Sequence, residues 1–245
     1  MSTDLTGAVA VVTGASSGIG QATSEALAAE GAAVVLAARS EETIADYARE
    51  IREEYETEAL AVATDVSEPA AVEALVETTV EELGSLDILV NNAGTAGDGT
   101  VAEMPLEVYE TVTGVNVNGV FYATKFAIPH LLKTDGSVIY IGSFAGNYPR
   151  PQFPVYAATK WWVKGFALSV AGRFGKEGLG VTLVNPSAVR TNFETEDSTF
   201  REEYSHEEAI EPEEVADLVV TAAKQRSPIS LNSVDIYNRD RMSNF

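Results

Sequence analysis

Seven short apolar runs alternate with longer amphipathic segments, and this alternation narrows the folds open to the chain more than any other feature. The runs at 8–13, 33–38, 59–63, 87–90, 137–141, 181–185 and 233–237 have the length and composition of strands. Between them, segments near 18–30, 41–56, 69–83, 104–132, 155–176 and 212–225 carry helical periodicity. A βαβα order of this kind predicts a doubly wound α/β fold: seven parallel strands flanked by helices on both faces. At 245 residues the chain suits one domain spanning 1–245. The stretch at about 187–211 breaks the alternation with Ser, Thr, Asn, Asp and Glu around Phe193 and Phe200. A loop that long in a compact domain is usually functional, so it is expected to form a substrate-side flap with a short helix.

Charge and composition then exclude several function classes. The formal net charge is −21, from 37 acidic against 16 basic residues. No basic cluster offers a footprint for nucleic acid, so no such partner is expected. Acidic pairs recur at Glu41-Glu42, Glu53-Glu54, Glu81-Glu82 and Glu207-Glu208. Two readings of this acidity stand: a protein kept soluble by charge, or adaptation to the high-salt cytoplasm of a halophilic organism, where screening relieves self-repulsion. The second is the working hypothesis.

Cysteine is absent, which removes disulfides, thiol nucleophiles and thiolate metal sites. His130 and His206 lack metal-ligand spacing, and no metal is expected. The charge-free stretch at 5–24 contains glycines and Ser/Thr rather than a run of large apolar side chains, so no membrane span is expected either. With no targeting signal evident, the expected location is the cytoplasm.

Gly14, Ser16, Ser17, Gly18, Ile19 and Gly20 follow the first strand and open the first helix. Glycines there allow tight turning and close backbone approach where free helix N–H groups meet a pyrophosphate. The second strand ends in alanine where an NAD site would place a carboxylate, and Arg39 and Ser40 come next. A guanidinium at that position suits a 2′-phosphate, which predicts NADP(H) in preference to NAD(H). Asp65 and Val66 follow the third strand, where the carboxylate either meets the adenine amino group or caps the next helix. Asn92, Ala93 and Gly94 follow the fourth strand, at the end where ligands sit in open α/β sheets.

Tyr156 and Lys160 stand one helical turn apart, on one face. An ammonium held beside a phenol is expected to favour the ionised form, bringing its ordinary pKa of about 10 towards neutrality.

In order along the chain stand Thr13-Gly-Ala-Ser-Ser-Gly-Ile-Gly20, Asn91-Asn-Ala-Gly94, Asn116, Ser143, Tyr156-Ala-Ala-Thr-Lys160 and Asn185-Pro186. Together they resemble the short-chain dehydrogenase/reductase family across essentially the whole chain, which implies a Rossmann fold. The resemblance implies Tyr156 as general acid/base, Ser143 as a hydrogen-bond partner of the substrate oxygen, and Lys160 as holder of the nicotinamide ribose and modulator of Tyr156. It also implies Asn116 as support for a water chain from Lys160 to solvent, and Pro186, Val189 and Thr191 near the nicotinamide.

One departure is Ser187, where the family commonly has glycine. A residue there that needed positive φ would pay for its side chain. The expected substrate is a small alcohol or carbonyl compound, walled by 94–96, the segment 144–153 and the flap. Phe144, Tyr148, Phe153 and Phe193 suggest an apolar or cyclic compartment, whereas Arg150 and Arg190 either anchor an acidic group or form surface ion pairs. Of Trp161 and Trp162, one is expected to face outward, at the interface of a homodimer or homotetramer. Two other readings remain: an NADP(H) sensor or scaffold without turnover, and a dehydratase or epimerase of the same fold.

Overall fold

The computed structural model describes residues 4–97, 100–192 and 199–239, and of Glu203 only the backbone. Its strands are β1 (Val9–Thr13), β2 (Ala33–Ala38), β3 (Ala59–Ala63), β4 (Ile88–Asn91), β5 (Ser137–Ile141), β6 (Gly180–Pro186) and β7 (Ser233–Ile236). All pair in parallel in one sheet of order β3-β2-β1-β4-β5-β6-β7. Strand order reverses between β1 and β4. A crevice therefore opens beyond their carboxyl ends, and the loops after β1, β4, β5 and β6 converge on it.

The helices are α1 (Gly18–Ala29), α2 (Glu41–Tyr55), α3 (Pro69–Leu83), α4 (Leu106–Thr113), α5 (Val120–Leu131), α6 (Pro154–Phe174), α7 (Phe200–Glu203) and α8 (Pro212–Ala223). Side-chain alternation along the strands divides the core into two layers. Ala10, Val12, Val34 and Leu36 pack against α1, α2 and α8 through Leu27, Ile44, Ile51, Val215 and Val219. Val11, Val35, Leu89 and Val138 pack on the other face against α3, α5 and α6 through Leu75, Ala123, Ala127 and Val163. Burial on both faces explains why the inner strands read as near-continuous apolar runs. No helix among the described residues is long and apolar enough to cross a membrane.

The helix expected at 104–132 is instead α4, a π-helical turn at Gly114–Gly119, and α5. A single wide turn leaves the apolar periodicity nearly intact, so a sequence pattern does not register it. Such turns concentrate at functional sites, and this one contains Asn116.

Glu25, the one acidic residue of α1, faces acidic side chains of α2 and α8. Burial pushes the Glu25 carboxyl above its ordinary range, and Glu213, Glu54 and Glu50 add repulsion against the hydrogen bond from Gln21. A raised carboxylate pKa means that the charged form costs stability once pH exceeds the folded value, and that cost is recovered as pH falls through it. Glu25→Gln is therefore expected to raise the melting temperature at pH 7, by about 2–4 °C per kcal/mol gained. The gain should be larger in low salt than in molar KCl, because salt screens the like charges. Thermal scans of both proteins across a KCl series check this; a wild-type melting temperature independent of salt counts against the halophilic reading.

Candidate active site

A cleft of about 460 Å³ lies at the crevice. The loop after β1 forms its floor. Gly14 and Gly18 adopt φ of +68° and +55°, and a Cβ on them would stand 2.9 Å from Ala93 Cα and Thr191 Cγ2 respectively. Gly20 needs no unusual φ, yet a Cβ there would collide with the Gly14 carbonyl oxygen. Ser17 precedes the first turn of α1 with extended backbone, so the free N–H groups of that turn open on the cleft beside Ser16 and Ile19.

Asn92 Nδ2 donates to the Thr13 carbonyl at 2.8 Å and to that of Gly14 at 3.2 Å. The Thr13 hydroxyl accepts from Asn92 N and Ala93 N and donates to the Val90 carbonyl. These bonds tie the loop after β4 to the glycine loop, so Ala93 and Gly94 line the same cleft.

Arg39 and Ser40, both exposed, line its far end beyond β2. Asp65 is beside them, but its Oδ1 accepts from Ser67 N at 2.9 Å and Ser67 Oγ at 2.6 Å. Those bonds, with the nearby Arg39 guanidinium, hold its carboxyl below its ordinary range. Of the two roles open to Asp65, the turn into α3 takes one oxygen. Val66 is buried, and its side chain would meet a Cβ on Gly119 at 2.9 Å.

Ser143, Tyr156 and Lys160 meet at the other end. Ser143 follows β5 in extended conformation, and its Oγ accepts from Ala145 N at 3.1 Å. Burial pushes the Tyr156 phenol above its ordinary pKa; the hydrogen bond with Ser143 and then the charge of Arg150 pull it down. Lys160 lies one helical turn further along α6. Its Nζ lies 5.6 Å from the Tyr156 ring centroid and donates to the Ile141 carbonyl at 2.9 Å. Burial lowers its own pKa to about 8.

Asn116 is buried in the π-helical turn. Its Oδ1 accepts from Thr95 N, and its Nδ2 donates to the Thr95 carbonyl and Thr159 Oγ1. A Cβ on Gly94 would stand 3.6 Å from Asn116 Oδ1 and 3.7 Å from Lys160 Nζ. Asn116 and Lys160 thus approach each other across Gly94, with both amide hydrogens of Asn116 already used.

Pro186, Ser187, Val189 and Thr191 close the wall after β6. Ser187 is not in the left-handed region, and its N–H donates to the Ile236 carbonyl at 3.0 Å. The missing glycine therefore carries no backbone penalty.

A bridge between Val189 and Ile210 joins the two ends of the segment expected to form a flap. Arg190 Nε pairs with Glu211 Oε1 at 2.6 Å, and His206 Nδ1 contacts the same oxygen at 2.7 Å. Of the two roles open to Arg190, the ion pair is the one seen, and a short helix, α7, lies in this segment. The aromatic wall is reduced: Phe144 is buried and stacks on Tyr148, ring centroids 4.6 Å apart, while Phe200, Ser187 and Asn192 line the cleft. Phe193 lies outside the described residues.

Residues 8–202 match the family model for short chain dehydrogenase. The chain belongs to the short-chain dehydrogenase family. It is 37% identical to meso-2,3-butanediol dehydrogenase of Serratia marcescens over 214 residues, covering 85% of this chain and 84% of that one. Its structure superposes on L-sorbose reductase from Gluconobacter frateurii, complexed with NADPH and L-sorbose, with TM-score 0.87 and 28% identity over 97% and 98% of the two chains. It also superposes on 3-ketoacyl-(acyl-carrier-protein) reductase from Brucella melitensis, complexed with NADH, with TM-score 0.86 and 29% identity over 95% and 97%. These relatives hold both kinds of nicotinamide cofactor, so likeness alone does not choose between them.

Within this oxidoreductase family frame, sequence reasoning missed the Thr13 hydroxyl, the influence of Arg150 on Tyr156, and Thr95 and Thr159 as partners of Asn116. Thr13 carried a local signal, since it ends β1 next to the glycine loop. The others depend on tertiary contacts.

Proposed function

We propose that the chain is an NADP(H)-dependent oxidoreductase that interconverts a small carbonyl compound and its alcohol. The observation that carries this reading is the meeting of Ser143, Tyr156 and Lys160 at one end of a cleft whose other end presents the glycine loop and Arg39. Glycine positions that a Cβ would fill, beside the N-terminus of α1, fit a pyrophosphate. Exposed Arg39 and Ser40 fit a 2′-phosphate. Bound there, the cofactor supplies or takes the hydride.

The remaining chemistry belongs to the chain. Ser143 donates a hydrogen bond to the substrate oxygen and stabilises charge developing on it. Tyr156 gives that oxygen a proton in reduction and removes it in oxidation. Lys160, near the Ile141 carbonyl and Gly94, holds the ribose hydroxyls, and Asn116 shapes the loop through Thr95. Chain 1–245 acts as one dinucleotide-binding and catalytic domain, with 187–211 as its flap.

Absorbance of the reduced nicotinamide, followed in high salt with ketones, aldehydes, sugars and hydroxy acids, tests this directly. The expected result is net consumption of NADPH with at least one carbonyl class. Tight cofactor binding with no consumption across the panel points instead to a sensor.

The functional unit is a homodimer or homotetramer. Trp162 stacks on Phe166 at 4.7 Å, whereas Trp161, Phe121 and Leu168 remain 50%, 43% and 42% exposed on α5 and α6. An apolar face of this kind favours self-association. Light scattering in molar KCl should give at least twice the chain mass, and a monomer there removes the interface.

A further inference from the structure

Ser143 is held by a short turn, and the carboxamide at the end of that turn ties it to two other elements. The residues after Ser143 form a 3₁₀ turn, Phe144–Gly146, ending at Asn147. Gly146 lies against α6 so closely that a Cβ would stand 2.9 Å from the Lys160 carbonyl oxygen. Asn147 Oδ1 accepts from Lys164 Nζ on α6 at 2.7 Å. Its Nδ2 donates to Tyr237 Oη at 2.9 Å and to Asp235 Oδ1 at 3.3 Å, at the C-terminal end of β7. Asp235 Oδ1 also accepts from Asn185 Nδ2 on β6 at 2.8 Å. The Tyr237 ring meets Phe144, the residue next to Ser143, edge-on at 5.2 Å.

We propose that Asn147 is a positioning residue: by bridging α6 to the end of β7, it sets the turn that aims the Ser143 hydroxyl at the Tyr156 hydroxyl. This rests on the reading of Ser143 and Tyr156 given above. One amide side chain supplies both the acceptor for Lys164 and the donor for Tyr237 and Asp235, a pairing that neither alanine nor aspartate reproduces. The C-terminal strand thereby becomes part of the catalytic support, although none of its side chains lines the cleft.

Three variants test the assignment: Asn147→Ala, Asn147→Asp, and the double exchange Asn147→Asp with Asp235→Asn. Asn147→Asp removes the donor and sets two carboxylates together, whereas the exchange restores a donor and acceptor across the gap. A misplacement of about 1 Å at a reacting group costs about 10²-fold, so both single variants should lose about 10- to 100-fold in kcat. Affinity for NADPH, read by fluorescence titration, should stay unchanged. The acidic limb of the kcat/KM profile for alcohol oxidation should move to higher pH, because the Ser143 hydrogen bond that draws Tyr156 down is weakened and the base must be deprotonated to act. The double exchange should recover most of the lost kcat.

An unchanged kcat in Asn147→Ala, measured beside an impaired Ser143→Ala, overturns the proposal. So does a double exchange no better than Asn147→Asp, or a kcat loss matched by equal losses of NADPH affinity and melting temperature. A fully active Ser143→Ala would instead remove the functional reading on which the proposal rests.

Discussion

Tyr156→Phe is expected to reduce turnover by about 10²–10⁴-fold, the range that a positioned proton donor supplies. The change removes one oxygen, keeps the ring, and leaves the glycine loop and Arg39 untouched, so NADPH affinity should be preserved. A loss in kcat and kcat/KM together, with no rise in KM, is the pattern of an interaction made in the transition state. The electrostatics sharpen the expectation. Burial raises the phenol's pKa, and the opposing groups are Ser143 and Arg150. Ser143→Ala should therefore move the acidic limb of the oxidation profile to higher pH as well as lowering turnover. Near-normal turnover in Tyr156→Phe would assign proton transfer to another group.

Arg39→Asp should reverse cofactor preference. A charge-assisted bond from a guanidinium to a 2′-phosphate contributes about 1.5–3 kcal/mol, and the substituted carboxylate repels the phosphate while accepting from a 2′-hydroxyl. At about 1.4 kcal/mol per tenfold, the ratio of kcat/KM for NADPH to that for NADH should fall by at least about 10²-fold. Asp65 tempers this. Its carboxylate feels the Arg39 charge already, so part of the guanidinium's field is offset before any cofactor binds. Asp65→Asn in the wild-type background should then strengthen NADPH binding modestly, provided the Ser67 turn is kept. An unchanged ratio in Arg39→Asp would show that the 2′-position is read elsewhere.

The parts of the fold visible in the sequence are those whose physics is local. Strands β2, β3 and β5 run over the residues expected from their apolar runs: β2 and β5 are inner strands buried on both faces, and the edge strand β3 still carries only alanine, leucine and valine. The glycine loop and Arg39 were readable for a similar reason: backbone turning at Gly14 and Gly18, and a strand end without a carboxylate, are properties of neighbouring residues. The π-helical turn was not readable, since Asn116 stabilises it through Thr95 and Thr159, which lie 21 and 43 residues away along the chain. Asn147 was invisible for the same reason, as its partner Tyr237 lies 90 residues distant. The expected action of Lys160 on Tyr156 came from helical spacing and from the family resemblance, and neither says where the ammonium is anchored. Spacing places two side chains on one face but does not say where an ammonium points, and this one points at the Ile141 carbonyl.

Transfer of deuterium from NADPH labelled at the hydride-donating carbon of its nicotinamide is the most direct test of the chemistry. With a carbonyl substrate turned over by the enzyme in high salt, the product alcohol should carry one deuterium on its carbinol carbon, detected by mass spectrometry. Tyr156→Phe should form the same labelled product, only more slowly. Unlabelled product, or bound NADPH that never passes its label to any carbonyl compound, would show that this cleft does not carry out hydride transfer.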